Sequence, residues 1–428
     1  MKNCLTRMLP AAAMAAAMTS ASADTLYVTA DRMIDAERGR LIENAAVIVD
    51  GDRVIAAGQA ADVDAPADAT RIPLGDMTLL PGLIDMHVHL TGNSDDQGYR
   101  GLAVSLPRET INGVANAKKT LMAGFTTVRN VGARGYSDIA LRDAIAEGDI
   151  PGPRMFVSGP PVGITGGHCS DGNLLPPEFN AQGEGVANGP WEMRAKVRRN
   201  IKYGVDVIKT CSTGGVLSKG TEVGAPQTTL EELTAIADEA HMHGRKVASH
   251  AHGATGIKNA LNAGIDTIEH ASFIDDEGIR LARRTGAYLN MDIYVTEFIL
   301  GEGEAAGFLP ESLEKERRTG ETQRENFRKA VEAGVNMSFG TDAGVYPHGH
   351  NARQLSRMVR FGMTPMQAIQ AATWNSANAL GAEADLGAIS AGRYADMIAV
   401  PGNVLDDVSV LENVPFIMKG GKVYKDER

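Results

Sequence analysis

The sequence predicts a (β/α)8 barrel carrying a small composite β-sandwich, and three observations predict it. Short β-branched apolar runs alternate with helical patterns through the middle of the chain, the signature of a parallel sheet. Histidines and an aspartate recur where those runs stop, at the strand ends where a barrel carries its chemistry. Short antiparallel-type strand patterns occur at both ends of the chain. The 428 residues suffice for one large barrel and a small accessory unit.

The N-terminus reads as a processing signal over residues 1–23. Lys2 and Arg7 form a short basic region, and Met8 to Met18 is almost entirely Ala, Met, Leu and Pro. Ala21-Ser22-Ala23 supplies a small-residue cleavage site, so cleavage is expected after Ala23 and the protein is expected in the periplasm or outside the cell. Cys4 lies upstream of that site, which argues against a lipid-anchored cysteine there.

The mature chain opens with Leu26-Tyr27-Val28-Thr29-Ala30, followed by Ala46-Val47-Ile48-Val49 and Arg53-Val54-Ile55-Ala56-Ala57-Gly58. Asp50-Gly51 between the last two is a two-residue hairpin signal. Near the C-terminus, Asp396-Met397-Ile398-Ala399-Val400 and Phe416-Ile417-Met418, continuing through Gly420-Gly421 to Val423-Tyr424, read the same way. Residues 24–80 and 388–428 are therefore assigned to one β-sandwich, and residues 81–387 to the barrel.

Eight barrel strands are expected near 83–89, 125–129, 154–158, 205–210, 246–250, 266–270, 287–293 and 335–341. An open doubly wound sheet is the alternative, but no G-x-G-x-x-G follows the first strand. Thr364-Pro365 opens a later helix, with Thr at the cap and Pro at the first position.

The net charge of −11, with no Lys/Arg run, gives nucleic-acid binding no electrostatic support. No run after the leader approaches the ~20 apolar residues of a membrane helix. Past the leader only Cys169 and Cys211 remain. A secreted chain can pair two such cysteines. A core this large does not need a disulfide, so both are expected to be small buried or rim side chains.

Five features carry chemistry. Asp85-Met86-His87-Val88-His89 places two histidines at i and i+2, on one side of a strand. A lone H-x-H is weak, but this one follows an apolar strand after Pro81-Gly82, which suits metal ligation at a barrel mouth. His250 and His270 each close a short apolar strand, within Ser249-His250-Ala251-His252-Gly253 and Asp266-Thr267-Ile268-Glu269-His270. Either alone suits a core histidine bonded to backbone; together, with the H-x-H upstream, they read as ligands. Asp342, in Gly340-Thr341-Asp342, ends the last strand as either a helix cap or a proton carrier. Lys209 ends the strand Val205-Asp206-Val207-Ile208, where an unpaired charge is costly. It either snorkels to solvent or, as a carbamate, bridges two cations.

These motifs, in this order, resemble the amidohydrolase superfamily across essentially the whole mature chain. The resemblance is strongest to the branch of secreted imidazolonepropionase-like and prolidase-like dipeptidases, which includes hydrolases of N-acyl amino acids and ochratoxin-type amides. It implies two divalent metal ions, of which zinc suits the ligands although cobalt and manganese do too. It implies that His87, His89 and Asp342 hold one ion, that His250 and His270 hold the other, and that carboxylated Lys209 bridges them. A water activated between them would attack the amide carbonyl, with Asp342 passing the proton to the leaving nitrogen. The expected substrate is a dipeptide or N-acyl amino acid with a free C-terminal carboxylate. The resemblance also implies that His168, in Thr165-Gly166-Gly167-His168, and His252 contact substrate. Cys169-Ser170 departs from the Gly-Asp that the branch pattern places after that histidine. A homo-oligomer, often an octamer, is the expected assembly.

Two other readings remain. A deaminase or cyclic-amide hydrolase of the same superfamily shares much of the site, although deaminases typically use one metal and lack the bridging lysine. A catalytically dead scaffold would lose ligands, and this chain retains all six candidates.

Overall fold

The computed structural model describes residues 25–170 and 172–428, so the expected leader and its cleavage site lie outside the described residues. Both ends of the chain build one mixed sheet. Its strands are β1 (Leu26–Asp35), β2 (Arg40–Asp50), β3 (Arg53–Gln59), β4 (Thr70–Pro73) and β5 (Met77–Pro81). Seven barrel strands follow: β6 (Leu83–Val88), β7 (Phe125–Asn130), β8 (Arg154–Val157), β9 (Val207–Cys211), β10 (Lys246–Gly253), β11 (Thr267–Phe273) and β12 (Tyr288–Asn290). The C-terminal strands β13 (Met397–Pro401), β14 (Phe416–Lys419) and β15 (Lys422–Asp426) return to the first sheet, where β13 pairs antiparallel with β5.

That first sheet folds back on itself. Val54 of β3 and Phe416 and Met418 of β14 lie far apart in strand order, yet share one apolar core with Val28, Val47 and Leu79. Burying apolar side chains between its two limbs is what the alternating pattern of these strands achieves. The hairpin turn is Gly51-Asp52, between the paired Asp50 and Arg53, one residue later than expected. Gly51 takes the positive φ of 57° that a two-residue turn requires at its first central position.

The barrel is assembled from parallel runs. β6, β7 and β8 pair in order, and β9 to β12 form the second run. The joins are individual hydrogen bonds rather than ladders. Val162 N–H donates to the Lys209 carbonyl at 2.8 Å, carrying the chain beyond β8 onto β9. The expected strand at 335–341 is not a regular strand, and the expected strand at 287–293 shrinks to three residues. Instead Leu289 N–H bonds Asn336 O at 2.9 Å, Met86 N–H bonds Phe339 O at 2.8 Å and His89 N–H bonds Ala343 O at 2.8 Å. The eighth stave is thus present but irregular, because its end must turn sharply to present Asp342.

Local signals position the helices. Thr229 caps the helix Leu230–Met242, and Thr364 caps Pro365–Gln370, each with a reciprocal bond from the residue three positions on. Such caps contribute about 0.5–2 kcal/mol each. The long helix Pro310–Glu332 has an unusual inner face, with Glu316, Thr319 and Gln323 buried. Buried polar groups are costly unless used, and these three line a cavity at the barrel mouth.

Cys169 and Cys211 form a disulfide, contrary to the expectation of two unpaired side chains. The bond ties the loop after β8 to the end of β9, and both cysteines line the cavity at the barrel mouth. Replacing Cys169 with Ser should lower unfolding stability by about 2–4 kcal/mol and loosen the loop that bears His168. Thermal unfolding of the variant checks this; an unchanged Tm would contradict it.

Candidate active site

A cavity of about 420 Å³ opens at the strand C-termini and is lined by His87, His89, His168, Lys209, His250, His252, His270 and Asp342. All eight residues singled out from the sequence therefore converge on one space. The ligand atoms of His87, His270 and Asp342 lie within 4.8 Å of one another, as do those of His250, His252 and His270. His252, expected only as a substrate contact, thus also meets the spacing of a ligand.

Strand alternation explains most of this placement. His87 and His89 share one face of β6 and its extension, and His250 and His252 share one face of β10. His270 does not follow the rule. Glu269 already faces the lumen, where its carboxylate accepts from the ring Nδ1 of His87 at 3.0 Å. His270 and Ala271 adopt φ of 70° and 49°, which breaks the alternation and brings the next side chain to the cavity as well. Asp342 does likewise with φ of 58°. Left-handed backbone at a non-glycine residue costs on the order of 1–3 kcal/mol and collects at functional sites.

Four of the histidines are held so that one ring nitrogen remains for the cavity. His87 is oriented by Glu269, and His270 Nδ1 faces Asp292 at 2.9 Å. His250 Nε2 lies 3.3 Å from the Gly214 carbonyl, and His252 Nδ1 lies 2.8 Å from the Ser272 hydroxyl. A carboxylate or carbonyl on one ring nitrogen fixes the tautomer and directs the other lone pair outward, the arrangement of a metal-binding histidine. Burial lowers the pKa of His87 to about 4, aided by the nearby Lys209 charge, so its imidazole is neutral. Burial and neighbouring histidines hold His250 and His252 well below the usual value. His270 goes the other way: burial opposes its charge, but Asp292 outweighs it.

Glu269, Asp292, Arg129 and Gln323 were not singled out from the sequence. Arg129 Nη2 donates to Glu269 at 2.7 Å, and Gln323 Nε2 donates to Asp292 at 2.8 Å. Burial opposes ionisation of Glu269, but Arg129 and His87 overcome it and hold its carboxyl well below the usual range. Only Glu269, adjacent to His270 in the motif, offered a sequence signal. Asp85 is the buttress beneath the site. It accepts from Thr341 Oγ1 at 2.6 Å and Asn351 Nδ2 at 2.7 Å, joining β6 to the eighth stave.

Asp342 Oδ1 lies 3.3 Å from His87 Nε2 and 3.2 Å from His89 Nε2. Burial raises its pKa, but the surrounding histidines prevail and hold the carboxyl far below its ordinary value. Lys209 is 3% exposed. Burial lowers its pKa to about 8 against the pull of Glu269 and Asp342.

His168 stacks on His250 with ring centroids 3.9 Å apart, and its Nδ1 has no hydrogen-bond partner among the described residues. Gly215 makes this stack possible, because a Cβ there would stand 2.5 Å from the His168 ring and 2.9 Å from the His250 ring. Gly215→Ala should displace the stacked His168–His250 pair and lower kcat/KM by about 10- to 100-fold, the scale of an ångström-level misplacement. Steady-state kinetics on the folded variant checks this; unchanged kcat/KM would show that the position of the stacked pair does not matter to the reaction.

The fold and lumen define a barrel enzyme with a histidine-, aspartate- and lysine-lined site of metal-binding character. The amidohydrolase family model matches residues 78–425, and the chain belongs to that family. It is a hydrolase acting on C–N amide bonds. The ochratoxinase of Aspergillus niger is 32% identical over 415 residues, spanning 90% of this chain and 84% of that protein. A crystal structure of a Xaa-Pro dipeptidase with bound methionine in the active site is 39% identical, with a TM-score of 0.88 over 94% of this chain and 100% of the other. The A. niger ochratoxinase structure superimposes with a TM-score of 0.86 at 30% identity, over 94% of this chain and 96% of the other.

Proposed function

We propose that the protein hydrolyses the amide bond of dipeptides or N-acyl amino acids that carry a free C-terminal carboxylate, using two divalent metal ions, with zinc the best match. The observation that carries this reading is the convergence of His87, His89, Lys209, His250, His270 and Asp342 on one cavity. The donor set fits the ions: His87 and His250 are buried imidazoles whose pKa values are pushed down and which each have one ring nitrogen already engaged, leaving the other as a ligand. His87, His89 and Asp342 would hold one ion and His250 and His270 the other. Lys209 would bridge them as a carbamate; its lowered pKa raises the share of neutral amine that adds CO2. When bound, such ions bring the pKa of water toward neutrality and polarise a carbonyl.

The chain's own groups do the rest. Asp342 is ionised at neutral pH, so its carboxylate can accept the proton that water loses. It then delivers that proton to the leaving nitrogen as the C–N bond breaks, giving a carboxylic acid and an amine. His168 and His252 would donate ring N–H groups to the substrate carboxylate and align the scissile carbonyl. The ochratoxinase and dipeptidase relatives support this substrate class. A relative at 27% identity, the imidazolonepropionase of Cutibacterium acnes, favours cyclic-amide hydrolysis as the second reading.

The test compares each free acid with its C-terminal amide across a panel of dipeptides and N-acyl amino acids. Amidation should lower kcat/KM by ~1.5–3 kcal/mol in transition-state terms, the scale of a hydrogen bond to a charged group. His168→Ala and His252→Ala should cost less with the amide than with the acid. Equal kcat/KM for acid and amide would favour the cyclic-amide reading. We further infer a periplasmic or secreted homo-oligomer; the Cys169–Cys211 disulfide supports the oxidising location.

A further inference from the structure

The helix Pro310–Glu332 places Glu316, Thr319 and Gln323 on one face, at helical spacing i, i+3 and i+7, and all three line the cavity. Two of them are committed. Gln323 bonds Asp292 and the His270 carbonyl, and Thr319 Oγ1 donates to the Lys315 carbonyl. Glu316 is not. It is 3% exposed and forms no ion pair among the described residues. Its polar neighbour is the Thr296 hydroxyl, itself buried and otherwise without a partner among the described residues.

The two cationic groups that act on Glu316, Arg324 and His270, are both engaged elsewhere. Asp292 adds negative charge beside Glu316. The Arg324 guanidinium donates to the Ile293 carbonyl and lies 3.8 Å from Glu297, and His270 Nδ1 faces Asp292 at 2.9 Å. Burial pushes the Glu316 carboxyl up to about 7, as it does for any carboxyl removed from water without a cation. An uncompensated buried carboxylate is expensive. The cost is removed when a ligand brings the opposite charge to the cavity.

We propose that Glu316 and Thr296 form a subsite for a substrate ammonium group, so that the enzyme prefers amides bearing a cationic amine. This rests on the amide-hydrolase reading of the adjoining site. A carboxylate and a hydroxyl together match the donors of an ammonium, and charge-assisted hydrogen bonds are the strong ones. The ammonium has two possible sources, the free N-terminus of a dipeptide or a basic side chain.

Two substrate pairs distinguish them. Ala-Phe against propionyl-Phe tests the N-terminal amine, and N-acetyl-Lys against N-acetyl-norleucine tests the side chain. For the wild-type enzyme, kcat/KM should favour the ammonium member by at least ~10-fold in one arm, within the range a site built to pair a polar group achieves. That arm identifies the source, and Glu316→Gln should abolish its preference. Parity in both arms overturns the proposal, and so does a preference that survives in Glu316→Gln. The wild-type ratios decide the matter even where the variant does not fold. Hydrolysis of the neutral members with parity leaves the amidohydrolase reading standing. Failure to cleave any of the four substrates overturns that reading, and the subsite with it.

Discussion

Lys209→Ala should lose bound metal and nearly all turnover, a fall of at least ~10²–10³-fold, the scale of removing one preorganised electrostatic group. Lys209 lies at 3% exposure between the strands that carry the histidines, and β10 pairs Ala248 directly opposite it. Truncation there opens space and removes the one side chain able to become an anionic bridge. Short-chain carboxylates added to the variant should restore part of both metal and activity, because they supply the missing oxygens. Metal analysis alongside kinetics reads both effects. A variant that retains metal and near-normal kcat would show that the amine serves only the fold.

Asp342→Asn should reduce kcat by at least ~10²-fold, the loss expected when a positioned proton carrier is removed, with a smaller effect on substrate binding. The substitution suits this position. Asp342 has φ of 58°, a conformation asparagine tolerates better than most residues, so the backbone turn should survive. The amide retains an oxygen for weak ligation but cannot accept the proton. Metal content must be followed in the same samples, since lost metal mimics lost catalysis. A near-normal kcat with only KM changed would move proton transfer to another group.

The ligand-type residues were legible because they sit at strand ends under a simple rule. His87 with His89, and His250 with His252, follow the two-residue alternation of a strand, and periodicity alone places each pair on one face. His270 was legible as a motif but not as geometry, because it reaches the cavity through a left-handed backbone that no local pattern announces. The orienting carboxylates were harder. Asp292 lies just past a strand of only three residues, and its meaning comes from His270 and Gln323, which approach from elsewhere in the chain. The disulfide was missed because pairing depends on distance, and Cys169 and Cys211 are 42 residues apart. The eighth stave was located by its apolar run, but its irregular pairing follows from the turn at Asp342 and from contacts with β6 and β12. Glu316 gave no signal, because an acidic residue in a charged helix reads as solvated surface until the fold buries it.

The account stands on two ions acting in one cavity, and the metal content of purified, active enzyme tests that most directly. Elemental analysis against protein concentration should give close to two equivalents of divalent metal per chain, with zinc predominant. Chelation should abolish hydrolysis, and re-addition should restore it. A fully active preparation holding one equivalent would contradict the bridged pair and favour a single-metal deaminase-type site, while full activity with none would contradict the metal account altogether.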